Sequence, residues 1–345
     1  MEELNAALHA YDVTTLQPVA EAWREGFSTE PGRFDPELQI SFGPYSIDRV
    51  EDDGAIVLTA NDNYYGDKPS LKEIVMLPNT ADAAAFVASD ELRVAESPTA
   101  APSWLNRDAE GKPVDVNSVA GGMTDTLVFS EAGTFAQPWA RAAFAACVDA
   151  QRMAEVSAKE SGVEVPAVSV RTVSTSDSVA SQMASLTTVP VDTATASGLA
   201  GYTVGVGYLA PNPRYKAMVE ELRAACEPAG ITVEDRSGDR VSRAQLDADP
   251  STGLPEIDVY LGAVDPMREY SAPAASVKNA AALRTLEQEL WEELPSIPIA
   301  AQPRTFIVDR AVTGVVSYTG PAGIGWNLDR WGYTRNEATE TKEES

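Results

Sequence analysis

The sequence is poor in the residues that most often carry out chemistry. It has one histidine, His9, and two cysteines, Cys147 and Cys226, in 345 residues. A single histidine excludes His-rich zinc sites and leaves any histidine-dependent nucleophile only one possible partner. Two cysteines are too few for a cysteine-based zinc site, and their spacing fits no metal or redox motif. They remain either a pair that closes in an oxidising compartment or two buried thiols. Positive charge is scarce as well. The 26 Lys and Arg stand against 52 Asp and Glu, a formal net charge of -26, which repels phosphate backbones and anionic membranes. Nucleic acid is therefore excluded as an expected partner. No run of about 18 apolar residues is present, so no helix is expected to span a bilayer. G-x-S-x-G, Walker, H-E-x-x-H and EF-hand patterns are all missing. With 52 acids, accidental carboxylate pairs are inevitable, so a carboxylate-pair hydrolase has no specific support. The expectation is a chain that is not an enzyme and needs no cofactor or metal.

What is present begins with a legible hairpin. Tyr45, Ile47 and Val50, then Ile56, Leu58 and Ala60, approximate the alternation of half-buried strands, and Glu51-Asp52-Asp53-Gly54 between them is a polar turn. The following loop, 61–69, packs turn formers around Tyr64 and Tyr65 and is expected to be pinned by buried rings. Upstream, Leu16, Val19, Ala20, Trp23 and Phe27 fall at helical spacing over 14–27, which places Trp23 in a core. Downstream, Ile74-Val75-Met76-Leu77 reads as a strand and 81–89 as an Ala-rich helix with Ala83, Phe86 and Val87 inward, capped at Pro78-Asn79-Thr80. The segment 98–122 is rich in Pro, Gly and polar residues and reads as a crossing between lobes.

The second half opens on the strand Leu127-Val128-Phe129. Pro138 suits a first helical turn, and Ala140, Ala143, Phe144, Cys147 and Val148 make one apolar stripe. Residues 157–197 are Ser/Thr-rich and read as surface loop. A strand over 202–210, an Asn212-Pro213 cap, a helix with Tyr215, Met218, Val219, Leu222 and Cys226 inward, Gly230, and the strand Ile231-Thr232-Val233 form a β-α-β unit. Its two strands are therefore parallel with a right-handed crossover. Gly205-x-Gly207 lacks the third glycine of a dinucleotide fingerprint. After the strand 257–262 comes a helix over 279–294 with Leu283, Leu286, Leu290, Trp291 and Leu294 inward. The strand Pro295-Ser296-Ile297-Pro298-Ile299 follows, continued over 306–316. Residues 319–326 form a glycine-rich loop ending in Trp326, and the acidic tail 336–345 is expected to be disordered.

These pieces, in this order, resemble the family 5 extracellular solute-binding proteins of ABC importers. The resemblance rests on Gly43-Pro44-Tyr45, then Asn61, Tyr64, Gly66 and Pro69, the strand and Ala-rich helix after them, Arg141-Ala142-Ala143 with Val148-Asp149, Asp265-Pro266, and Pro295-Ser296-Ile297-Pro298. Two departures stand out: the turn glycine and closing acid after the Ala-rich helix are absent, and the segment after Asp265-Pro266 is short. The resemblance implies an α/β fold, the class II (cluster C) periplasmic-binding-protein clamshell of two lobes. Residues 1–122 would form part of one lobe, 123–303 a ligand lobe, and 304–345 a return to the first lobe with the acidic tail. The first thirty residues lack the basic start, apolar run and cleavage site of a secretory signal. With only about forty residues ahead of the Gly-Pro-Tyr strand, the chain reads as lacking its N-terminal portion. The resemblance further implies a monomeric substrate-binding component, held outside the cytoplasm as a lipoprotein, that captures a peptide or similar small solute by hinge closure and delivers it to ABC permease subunits. Asp265 is the candidate partner of a peptide α-ammonium, since a buried cation needs a fixed opposite charge. Trp326, Tyr208 and Trp139 complete the candidate ligand-binding set, and Cys147 with Cys226 is a possible disulfide. The alternative is a regulatory or scaffold lipoprotein of cell-envelope lipoglycan (phosphatidylinositol mannoside or lipoarabinomannan) assembly, without transport.

Overall fold

The computed structural model describes residues 2–107, 113–183, 190–270 and 279–334. In chain order its elements are α1 (Glu2–Ala10), α2 (Val13–Glu25), β1 (Tyr45–Val50), β2 (Ile56–Ala60), β3 (Glu73–Met76), α3 (Ala83–Ala88), β4 (Val94–Ser97), β5 (Val114–Phe129), α4 (Pro138–Ala145) and α5 (Ala150–Ser161). There follow α6 (Ala180–Met183), α7 (Thr193–Ala196), β6 (Thr203–Gly207), α8 (Pro213–Cys226), β7 (Thr232–Asp235), β8 (Val259–Val264), α9 (Pro266–Glu269), α10 (Ala280–Glu293), β9 (Ser296–Asp309), β10 (Val312–Thr313) and β11 (Gly332–Tyr333). The chain divides into two compact units, one comprising 1–93, 309–316 and 325–345, the other 94–308 and 317–324.

The first unit holds the antiparallel sheet β1-β2-β3. The hairpin forms as the alternation predicts, with Tyr45 opposite Ala60 and Ile47 opposite Leu58. Gly54 closes its turn at φ +87°, a conformation that costs a residue without Cβ little. The loop after β2 is held differently from expectation. Tyr65 is 90% exposed, and the pin is polar: Asn61 Nδ2 donates to the carbonyls of Ser41 at 3.0 Å and Gly43 at 2.9 Å. Asp82, not the Pro-Asn-Thr step, caps α3, accepting from the Ala84 and Ala85 amides, and no residue of that short helix is fully buried. Helix α2 forms where its period predicts, capped by Asp12. Its stripe is bare, however. Trp23 is 74% exposed and touches Phe27 edge-on at 5.3 Å, so the expected core position is a surface one.

The second unit is built on a six-stranded sheet in the order β4-β9-β5-β8-β6-β7. The β6-α8-β7 unit is parallel, Val204 opposite Val233, with Asn212 capping α8, Pro213 in its first turn and Gly230 at φ +77° ending the connection. Strand β5 begins at Val114, so the second half of the stretch read as a crossing is instead extended sheet. It pairs antiparallel with β8, Leu127 opposite Leu261. Alternation along these strands sends Leu127, Phe129, Val259 and Leu261 to one face and Val128, Tyr260 and Val264 to the other. The first face packs on α4, α5 and α8 in the main core, where Phe129, Phe135 and Phe144 meet at 5.0 to 5.9 Å between ring centres. Cys147 and Cys226, both buried, are joined as a disulfide between the end of α4 and the end of α8.

Two polar pairs lie inside this unit. Asp125 of β5, fully buried, takes a forked contact from Arg214 of α8 and a 2.8 Å hydrogen bond from the Tyr215 hydroxyl. Arg171 lies in the stretch 157–197, read above as surface loop, yet it is buried against Glu287 of α10, Nη1 to Oε1 at 3.0 Å. Glu287 also accepts the Arg171 and Thr172 amides at 2.8 and 3.1 Å, and Trp291 stacks on the guanidinium at 4.0 Å. Burial pulls the Arg171 guanidinium below the ordinary arginine value while Glu287 opposes it. Each buried charge is thus matched and hydrogen-bonded, the condition under which such pairs are tolerated. The acidic tail expected beyond residue 335, and residues 271–278 of the short segment after α9, lie outside the described residues.

Candidate ligand-binding site

The second unit contains a cavity of about 820 Å³, within the range of about 300 to 1,000 Å³ usual for small-molecule pockets. It opens where β5 ends and β9 begins. Val128 and Phe129 come from the last turn of the pleat of β5, Pro295 from the approach to β9, and Leu246 from a one-turn helix ahead of β8. That one-turn helix, Arg243–Leu246, starts on a capping box in which Ser242 and Gln245 satisfy one another's backbone, the sequence pattern that fixes a helix start. Its position is held from below by Ser130, whose hydroxyl donates to the Leu246 carbonyl at 2.6 Å.

Two arginines stand in the wall, and both are occupied. Arg141 of α4 donates from Nη1 to the Phe135 carbonyl at 2.7 Å and from Nε to the Glu293 carbonyl at 3.0 Å, tying α4 to the end of α10. Arg243 pairs with Glu269 at 2.7 Å. That hydrogen bond raises the Arg243 guanidinium and holds the Glu269 carboxyl below its ordinary value, with burial opposing both shifts. Tyr270 shares a 2.6 Å hydrogen bond with the Ser296 hydroxyl, and burial raises its phenol. Three further carboxylates border the cavity, Glu131, Asp247 and Glu293. Among the described residues none of the three side chains has a hydrogen-bond or ion-pair partner.

None of the four residues singled out in the sequence lines this cavity. Asp265 caps the one-turn helix α9, its Oδ1 accepting the Met267 amide at 3.1 Å. In that role it positions Glu269 and Tyr270, which do line the cavity. Tyr208 is 2% exposed, its ring edge-on to Tyr215 and its hydroxyl donating to Asp235 at 3.0 Å. Trp139 is 49% exposed at the start of α4, edge-on to Tyr202 at 6.4 Å. Trp326, in the first unit, is 47% exposed and donates from Nε1 to the Val316 carbonyl at 2.8 Å. The cavity residues were not legible beforehand: Arg141 was visible as part of a motif, but Arg243, Leu246 and Asp247 sit in a stretch with no period.

A family model described as bacterial extracellular solute-binding proteins, family 5, middle, matches residues 4–253. The chain belongs to this family. Its mixed α/β fold is that of the family 5 solute-binding proteins, and solved structures agree at the level of fold. A Helicobacter pylori ABC-transporter-associated periplasmic binding protein in complex with the peptide STSA superposes with a TM-score of 0.64 at 15% identity, over 85% of this chain and 63% of that one. A Campylobacter jejuni protein in complex with Ni(L-His) gives 0.65 at 14% identity, over 87% and 70%. Closer in sequence are uncharacterized lipoproteins of Mycobacterium tuberculosis, 28% identical over 372 residues, and of Mycobacterium leprae, 26% over 373. Each match covers 96% of this family 5 chain, which spans 65% of the Mycobacterium tuberculosis relative and 66% of the other. Among the described residues no helix is long and apolar enough to cross a membrane.

Proposed function

We propose that this family 5 chain serves as the substrate-binding component of an ABC importer, capturing a peptide or similar small solute outside the cytoplasm and passing it to permease subunits. The observation that carries the reading is the family match over residues 4–253. Binding needs no reactive group, and the absence of every nucleophile and metal signature in the sequence fits that role. Hinge closure is the expected mode of capture: a closed form selected by its better contacts with the solute. Asp265, Trp326, Tyr208 and Trp139 remain the proposed ligand contacts. The lipoprotein relatives support an envelope location.

Calorimetric titration and melting in the presence of di- to pentapeptides test this. A peptide that binds the native state alone raises its stability by about 2.7 kcal/mol at a hundred times Kd. Saturable one-to-one binding by some member of the set is the expected result. No heat and no shift with any peptide, free amino acid or metal chelate would overturn the reading.

A further inference from the structure

We infer that residues 317–324 form a latched finger that sets the stiffness of the hinge, and that Glu96 is the latch. The inference rests on the hinge-closure reading only in giving the motion a purpose, and its test needs no solute.

The chain passes between its two units four times, at 93/94, 308/309, 316/317 and 324/325. The first two passages are β4 and β9 running side by side. Val94 stands opposite Val308. The ribbon continues beyond them, the Asp309 amide donating to the Arg93 carbonyl at 2.8 Å and Arg93 pairing with the Asp309 side chain at 2.7 Å. Hinge residues usually sit at such element ends, and two strands by themselves resist bending little.

The other two passages are the sides of the finger. Its root lies in the first unit, where Trp326 Nε1 donates to the Val316 carbonyl at 2.8 Å and Asn327 Nδ2 to the Gly314 carbonyl at 2.7 Å. Its tip belongs to the second unit and is held there by two residues of the same ribbon. Glu96 of β4 pairs with Arg304 Nε of β9 and accepts the Ile324 amide at 3.1 Å. Arg304, itself 8% exposed, directs Nη1 to the carbonyls of Thr319 and Gly320 at 3.5 and 3.4 Å. The tip is shaped to this seat. Gly323 lies at φ +59°, and a Cβ there would stand 2.9 Å from Glu96 Oε2 and 3.1 Å from Arg304 Nη2.

One carboxylate therefore does two things: it matches a nearly buried guanidinium, and it holds the finger by a charge-assisted hydrogen bond. With the tip seated, all four passages constrain the hinge, and bending the ribbon has to unseat the tip or pull out the root. With the tip free, the finger becomes a loop of the first unit and only the ribbon remains. None of residues 317–324 is buried. Segments with few buried contacts open at far less cost than global unfolding, so the finger can release while both units stay folded.

The test follows the Ile324 amide by hydrogen exchange in the full, solute-free chain. Glu96→Ala removes the latch from the strand side, and Gly323→Ala crowds it from the finger side while keeping both Glu96 and Arg304. In each variant the Ile324 amide is expected to exchange about tenfold faster or more, as loss of a charge-assisted hydrogen bond demands. Amides of β6 and β8 should keep their protection. Spin labels at Val75→Cys in the first unit and Lys159→Cys on α5 then read the hinge. Both positions are exposed, and the native cysteines stay closed in their disulfide. The distance distribution between the labels should broaden in both variants relative to the labelled parent. Unchanged exchange at Ile324 in both variants overturns the inference. Faster exchange with an unchanged distribution also overturns it, since 317–324 would then be an ordinary loop. So does a broadening confined to Glu96→Ala and accompanied by lost protection in β6 and β8, because the unpaired Arg304 would be its cause. If peptides bind the chain and the distribution does not broaden, the latch falls while solute binding stands. If the distribution broadens as stated and no peptide binds, the latch stands and the peptide reading falls.

Discussion

Helices α8 and α2 carry apolar stripes of the same period, and they meet opposite fates. On α8 the side chains of Tyr215, Met218, Val219, Leu222 and Cys226 are at most 6% exposed, pressed on the sheet and on α5. On α2 and just beyond it, Val19, Trp23 and Phe27 are between 45% and 74% exposed. A helical period specifies which face can be buried and leaves open whether a cover exists. In the second unit the cover is a sheet whose inward residues alternate in register with the helices, and a disulfide ties two of those helices together. In the first unit α2 packs beside α1, on which Ala7 is the one fully buried residue among those whose burial is described.

The contrast can be broken from the covered side first. Replacing Cys147 and Cys226 together by alanine releases a crosslink with a sequence separation of 79. In the chain-entropy picture a loop of that length gives the folded state roughly 4 kcal/mol. Denaturant unfolding of the double variant should show a loss of that order in the transition of the second unit. A loss confined to the first unit would mean that the covered core does not depend on the bridge. Next, Leu222→Ala empties a fully buried site on α8 and should cost about 3 kcal/mol by lost transfer and a residual cavity. A change below about 1 kcal/mol would show that the stripe is less tightly packed than its burial states.

How much could be read in advance divides along the same line. The hairpin at Tyr45, the Asn212 cap, the β-α-β unit and the stripes of α4 and α8 were legible because each is local: turn residues, a cap and a period within twenty residues. The buried Arg171–Glu287 and Arg214–Asp125 pairs were not, since their partners are 116 and 89 positions apart. A charge in a sequence looks solvated until its mate is known. Arg171 sits in a Ser/Thr-rich stretch that reads as surface, and Glu287 falls between Leu286 and Leu290 in a helix whose inward face was read as leucines and Trp291. Family membership was legible from ordered motifs spread over much of the chain. The cavity was not, because its lining comes from five separate segments, and Asp265, the one residue of its neighbourhood that was singled out, acts there as a helix cap.

The smallest effect is the sharpest test of the bare stripe. Trp23→Ser on α2 removes the most exposed tryptophan of the first unit, which at 74% exposure makes little contact besides its edge-on approach to Phe27. Surface changes of this kind usually fall within about 0.5 kcal/mol, whereas a buried tryptophan cut to a small residue costs about 3 to 5 kcal/mol. The two cases differ by a factor that a melting experiment resolves easily. A shift of a few tenths of a kcal/mol, with improved solubility as an exposed apolar patch shrinks, is the expected result. A loss of several kcal/mol would mean that in solution the α2 stripe is covered after all, and the difference between α8 and α2 would vanish.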